Sequence, residues 1–225
     1  MKNIIIAGTD TNVGKTICSA LLMSVLKGTY FKPLQTGGKF DNDTKTVRKL
    51  SKLNDEHFLK EKYLLKEPFS PHKAAELDNL IVENEKLVLP DNIKFNPLII
   101  ELAGGLMVPV NDKTLMIDIV KEWSNHNDLS VVLCAKTTLG TINHTLLSIE
   151  ALKSRNINIA GIVFVGEKDN DNIKTISQFS EIQEIGYIPI VDKINKRSLI
   201  EIFVKNFKMD YFGLNVNLAL GVDKK

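Results

Sequence analysis

The stretch IIIAGTDTNVGKT, residues 4–16, ends in Gly14, Lys15 and Thr16, the residue types that grip a phosphate. A lysine supplies charge, the hydroxyl beside it can bind a divalent cation, and glycine lets backbone N–H groups face the anion. The spacing departs from the usual G-x-x-x-x-G-K-[ST] pattern. Thr9 stands where that pattern needs glycine, and the glycine comes one residue earlier, at Gly8. The stretch is thus either a phosphate loop lengthened by one residue or a surface turn with a chance Gly-Lys-Thr. Its setting favours the loop, because an apolar run precedes it and helical spacing follows it. Lys15 is then expected to reach the terminal phosphates and the Thr16 hydroxyl to bind Mg²⁺.

Further polar residues stand at the ends of apolar runs, where open α/β sheets place ligands. Lys32 opens KPLQTG (32–37). On its own it reads as a surface lysine before a turn; beside the loop it could neutralise a second anion. Glu101 ends an apolar run ahead of Ala103-Gly104-Gly105, and a carboxylate in that position needs a counter-charge, for which Mg²⁺ is suited. Asp43, with Asp41 as a close competitor, could supply another metal oxygen. The segment Thr137 to His144 offers free N–H groups at a helix start, a possible second carboxylate or phosphate site. Of the histidines, His57 and His126 sit in polar surroundings and read as solvated, while His72 and His144 read as capping or packing residues. None has zinc spacing. Trp123 reads as helix packing.

The elements that must position these groups follow from periodicity. Continuous apolar runs predict buried strands at 3–7, 29–34, 96–103, 129–136, 157–165 and 184–190. Helical spacing predicts helices at 14–27, from about Asp43, after the SPH at 70–72, and at 114–123, 139–154 and 171–181. Residues 54–97 show no clear sheet pattern, and no element is assigned to the last 15 or so residues. The βα alternation predicts an α/β fold: a mainly parallel sheet with helices on both faces. One domain over 1–225 is expected, with residues after about 210 as a loosely packed tail.

Composition narrows the function. A net charge of +2 argues against nucleic acid or a membrane surface as partner. Cys18 and Cys134 lie in apolar segments without metal-ligand spacing, as free buried thiols do in a reducing compartment. The N-terminal residues show neither a signal-peptide pattern nor a membrane-length apolar run. A cytoplasmic protein is expected.

Taken together, GTDTNVGKT, FKPLQTG, SPH, ELAGG and LGTINH resemble the dethiobiotin synthetase family, ATP-dependent carboxylases of biotin synthesis with a P-loop fold. The segments fall in order over residues 4 to about 190, and the family carries the same lengthened loop. The resemblance implies a reaction in which 7,8-diaminopelargonate and CO₂ (or bicarbonate) form a carbamate. ATP phosphorylates the carbamate, and the second amine closes the cyclic urea and expels phosphate. It implies nucleotide contacts from Thr11, Asn12, Val13, Gly14, Lys15, Thr16 and Ile17. Lys32, Lys15 and Thr11 would serve catalysis, with Lys32 on the carbamate. Thr16, Asp43 and Glu101 would bind Mg²⁺. Thr36, Gly104 and Gly105 would meet the substrate. In the homodimer that the family forms, Thr141, Ile142 and Asn143 would hold the distal carboxylate, partly from the second chain.

The chain departs from the family at Asn12, where glutamate is common, and at Leu102, where glycine is usual. In FVGEKDN (164–170) it lacks the Asn-Asp pair that reads adenine, which leaves the base open: ATP or another nucleoside triphosphate. The main alternative is a partitioning or regulatory ATPase with a deviant loop, which would carry a lysine between Thr9 and Val13; none is present. A glutamine-amidotransferase synthetase would need a glutaminase domain, for which the chain has no room.

Overall fold

The computed structural model describes residues 2–39 and 42–215. Short apolar runs form a six-stranded, wholly parallel sheet: β1 (Asn3–Gly8), β2 (Thr29–Phe31), β5 (Leu98–Glu101), β6 (Leu129–Lys136), β7 (Ile159–Gly166) and β8 (Glu184–Pro189). Their order is β2-β5-β1-β6-β7-β8. Period-two alternation divides β1 between two cores. Ile5 and Ala7 join the apolar cluster under α4 (Met116–His126), α5 (Thr141–Lys153) and α6 (Asn170–Ser180). Ile4 and Ile6 join the cluster under α1 (Lys15–Leu26), α2 (Asp43–Ser51) and α7 (Lys196–Asn206). A strand covered on both faces cannot alternate apolar with polar, which is why these runs are continuous.

Two predicted strand runs change in the structure. The run 29–34 is two strands, because Pro33 has no N–H to continue the ladder. Its carbonyl instead accepts from the N–H groups of Lys62 and Tyr63, which turns β3 (Leu34–Gln35) out of the main sheet to pair with β4 (Tyr63–Leu64) in a second, two-stranded sheet. The hard region 54–97 therefore does hold a strand, together with α3 (Pro71–Leu77) and 3₁₀ turns at Asp55–His57 and Asn84–Lys86. The run 96–103 is strand only over β5; the cis Asn96–Pro97 bond precedes it.

α7 went unpredicted although its signals are present. Leu199, Ile202 and Phe203 recur at helical spacing and are buried. Asn195 caps the start, accepting from the N–H groups of Arg197 at 2.9 Å and Ser198 at 3.1 Å, while the Ser198 hydroxyl accepts from the Asn195 N–H. Among the described residues past 210, Phe212 is buried, while Tyr211 and Gly213 are exposed. The 3₁₀ turn Met209–Phe212 buries Phe212 against Phe203 and Phe207, with ring centroids 5.6 and 6.1 Å away. One further expectation fails. His57 is buried rather than solvated: its Nδ1 lies 2.7 Å from the Gly28 carbonyl and its ring stacks on Phe95 at 3.8 Å. Trp123 packs as expected, donating its indole N–H to the Leu87 carbonyl at 2.6 Å.

The aromatic cluster makes α7 part of the core. Replacing the fully buried Phe203 by Ala should lower unfolding free energy by about 3–5 kcal/mol, measured by urea denaturation. A loss below about 1 kcal/mol would mean that α7 is only appended.

Candidate functional site

The loop between β1 and α1 is shaped by two glycines. At Gly8 a Cβ would come within 2.7 Å of the Val13 side chain, 2.9 Å of the Asp10 carbonyl and 2.9 Å of Lys15 Nζ. Gly14, just before α1, has φ +92° and lies against Val165 of β7, which a Cβ would meet at 2.8 Å. Both positions therefore exclude a side chain. Between them Asn12 takes the left-handed conformation at φ 56°, and Val13 is buried beneath the loop. Lys15 folds back over the loop and donates to the Asp10 carbonyl at 2.9 Å.

A polar cluster lies beside the loop, at the C-terminal ends of neighbouring strands. Thr16 is the second residue of α1, Lys32 follows β2, Glu101 ends β5 and Asp43 opens α2. The Thr16 hydroxyl lies 2.8 Å from Asp43 Oδ1 and 2.9 Å from Glu101 Oε1. Lys32 Nζ lies 2.6 Å from Asp43 Oδ2 and 2.9 Å from Glu101 Oε1. Lys32 is thus no surface lysine: it is 3% exposed and Glu101 0%. Asp43 is held by its helix, whose cap Asn42 accepts from the Lys45 N–H, and by the buried Gln35, whose Oε1 accepts from the Asp43 N–H at 3.1 Å. Asp41 lies outside the described residues.

Burial disfavours the Lys32 charge, but Glu101 and Asp43 outweigh it and hold the ammonium above its ordinary value. Burial likewise disfavours the Asp43 carboxylate, but the charge and bonds of Lys32 and the Thr16 hydroxyl hold its carboxyl below the usual range. Lys15 differs: burial and then the Lys32 charge push its ammonium down. An anion beside Lys15 would relieve that repulsion.

These groups open onto a cleft of about 700 Å³, with Thr11, Lys15, Thr16, Lys32, Asp43 and Glu101 in its wall. Thr36, Asn12, Ile17 and Gly104 also line it. Gly104 needs its freedom at φ +65°, whereas Gly105 sits behind the loop, with the Thr9 carbonyl 3.6 Å from where a Cβ would be, and is not in the wall. A separate hollow of about 630 Å³ beside α3 contains none of these residues.

Thr141, Ile142 and Asn143 do not reach this cleft within one chain. The groups expected to be free at that helix start are partly used: the Thr141 hydroxyl donates to the Lys136 carbonyl and its N–H to Thr138. Ile142 packs on the core, while Asn143 is exposed. Tyr30 went unnoticed in the sequence. It is fully buried in β2 and its hydroxyl donates to Glu101 Oε2 at 2.9 Å. A tyrosine inside a buried strand is a signal, since its hydroxyl must find a partner.

A hydroxyl and two carboxylates meeting at one point form a hard-oxygen set of the kind that suits Mg²⁺. Among the described residues no helix is long and apolar enough to cross a membrane, and no group of three or more His, Cys, Asp or Glu could hold a metal. The Mg²⁺ fit therefore rests on two carboxylates with a hydroxyl.

The chain matches the family model described as an AAA domain over residues 2–198. The ATP-dependent dethiobiotin synthetase BioD of Nitrobacter hamburgensis is 42% identical over 209 residues, 93% of this chain and 96% of that protein. The enzyme of the same name from Afipia carboxidovorans is also 42% identical, over 93% and 97%. Among solved structures, a ParA family ATPase from Chlorobium tepidum TLS superposes with a TM-score of 0.53 at 11% identity, covering 99% of this chain and all of that one. That likeness shows the shared α/β fold.

The buried charges should be visible in acid. The folded Asp43 carboxyl titrates below its ordinary 3.8, so its stabilisation is complete above 3.8 and disappears as pH falls through the lower folded value. Asp43→Asn should cost roughly 2 kcal/mol at neutral pH and flatten the stability curve below 3.8. Chemical unfolding at several pH values checks this; curves that run parallel in parent and variant would contradict it.

Proposed function

The chain belongs to the family of ATP-dependent dethiobiotin synthetases, and we propose that it closes the cyclic urea of dethiobiotin from 7,8-diaminopelargonate, CO₂ and ATP with the cleft residues in the following roles. The observation that carries the assignment of roles is the convergence of two buried lysines, a hydroxyl and two carboxylates on one cleft.

One amine of the substrate takes up CO₂ and gives up a proton, forming a carbamate. A carbamate oxygen attacks the terminal phosphorus of ATP and ADP leaves. The second amine then attacks the carbamate carbon, closes the ring and expels phosphate. Both reacting partners of the middle step are anions, so the protein must first bring like charges together. Lys15 and Lys32 suit that work by charge and position, Lys15 toward the phosphates and Lys32 toward the carbamate. Thr11 and the N–H groups of residues 11–17 would hold the phosphates, with Gly14 and the start of α1 aimed at them. Thr16, Asp43 and Glu101 would hold Mg²⁺, which supplies charge neutralisation on the phosphate oxygens when bound. Lys32 now bonds the same carboxylates, so it would turn toward the carbamate once they are otherwise engaged. No protein nucleophile is required, because the substrate amines attack.

Thr36 and Gly104 would meet the substrate within one chain. Thr141, Ile142 and Asn143 would act from a second copy, and the exposed Leu139 and Leu147 on the same segment support a homodimer there. ATP as co-substrate and two buried free thiols, Cys18 and Cys134, support a cytoplasmic location. The end of β7 at Val165-Gly166-Glu167 leaves other nucleoside triphosphates as candidates beside ATP.

The test is phosphate release with Mg²⁺, ATP and bicarbonate, with and without the diamine, together with mass spectrometry for the urea. Diamine-dependent release with urea formed is expected; diamine-independent hydrolysis without urea would favour a partitioning or regulatory ATPase. Lys32→Ala should lower turnover by about 10²-fold or more while the fold is retained. Full turnover in that variant would remove Lys32 from the carbamate.

A further inference from the structure

Both oxygens of Glu101 are engaged, and they are engaged differently. Oε1 accepts from the Thr16 hydroxyl and the Lys32 ammonium, each at 2.9 Å. Oε2 accepts from the Tyr30 hydroxyl at 2.9 Å. The carboxylate is fully buried, so an unpaired Oε2 would carry the full cost of desolvation. A phenol meets that need with one proton and no charge. It therefore satisfies the inner oxygen without competing, as a lysine would, for the charge that a cation requires.

The residue that carries this hydroxyl is held through both its backbone and its ring. Tyr30 lies opposite Ile99 in the β2–β5 ladder, two residues from Glu101. Its ring packs against Phe58 with centroids 6.0 Å apart and planes at 55°. The Leu59 N–H donates to its carbonyl at 2.9 Å, and the Arg48 guanidinium lies 5.1 Å from the Phe58 ring. Tyr30 thus reaches Glu101 from a rigid strand and not from a loop.

We propose that Tyr30 is a positioning residue: by fixing Oε2 of Glu101 it leaves Oε1 alone to face the cation site, making Glu101 a one-oxygen ligand beside Thr16 and Asp43. This rests on the reading of Glu101 as a Mg²⁺ ligand. Donors behind a ligating carboxylate set its orientation, and their loss commonly costs 10–100-fold in metal affinity. A merely structural tyrosine would affect stability and leave the metal alone.

The experiment compares Tyr30→Phe, which removes one oxygen and keeps the ring, with Phe58→Leu, which loosens the ring and keeps the hydroxyl. Mn²⁺ binding is followed by electron paramagnetic resonance with a non-hydrolysable ATP analogue, folding by circular dichroism, and Mg²⁺ dependence by steady-state turnover. In Tyr30→Phe the Mn²⁺ dissociation constant should rise about 10-fold, with the loss concentrated in Mg²⁺ dependence and not in kcat. Phe58→Leu should lower the melting temperature and leave the Mn²⁺ curve in place. Against a Glu101→Gln background, Tyr30→Phe should add nothing further, because the residue acts through Glu101. Mn²⁺ binding within two-fold of the parent overturns the proposal. So does a Phe58→Leu shift as large as that of Tyr30→Phe, or an undiminished effect in the Glu101→Gln background. A parent protein that forms no urea and binds no metal–nucleotide overturns instead the functional reading beneath it.

Discussion

A buried ammonium and a buried carboxylate, with a second carboxylate half-buried beside them, constrain everything around them. Lys32 Nζ lies 2.6 Å from Asp43 and 2.9 Å from Glu101, and Lys32 and Glu101 are essentially without solvent. Taking such ions out of water costs several kcal/mol each, and their attraction repays that cost only with good geometry and filled hydrogen bonds. Here the remaining valences are filled. Thr16 bridges the two carboxylates and Tyr30 closes the inner oxygen of Glu101. Hydrophobic residues of similar volume often stabilise a fold as well as such ions do, so stability alone does not call for this cluster.

The sheet topology makes the cluster possible. β2, β5 and β1 are neighbours, and each delivers its polar residues just where its ladder ends. The loop after β1 can lie across these ends only because Gly8 and Gly14 leave room, one for Lys15 and one for Val165. The result is a graded field. Lys32 is charge-matched by its carboxylates, whereas Lys15 is buried with its ammonium pushed down and donates to a loop carbonyl. An entering anion thus gains most at Lys15, beside the helix N-terminus.

Most of this was legible in the sequence because buried parallel strands are continuous apolar runs and the loop has a distinctive spacing. The strands β1, β6, β7 and β8 lie within a residue or two of their predicted limits. What failed has specific causes. Pro33 splits one apolar run between two sheets, an outcome that depends on the carbonyl partner found 29 residues later at Lys62. α7 carries a capping box and a buried stripe, but its charged spacers, as in NKRSLIE, mask the periodicity. His57 is polar in its sequence neighbours and aromatic in its spatial ones. Tyr30 was hidden for a related reason: within TYF it reads as one more strand residue, and its partner Glu101 lies 71 residues away.

The departure at the end of β7 also has a physical role in the folded chain. Val165 stands against Gly14 so closely that a single added carbon would meet both its methyl groups, and Gly166 gives its carbonyl to the Tyr187 hydroxyl at 2.7 Å. The residues that follow, Glu167 and Lys168, are exposed. The strand end thus braces the phosphate loop from the side opposite Lys32. Loop position is thus held by packing at Val165 and by the hydrogen bonds of the Thr16 hydroxyl to Asp43 and Glu101.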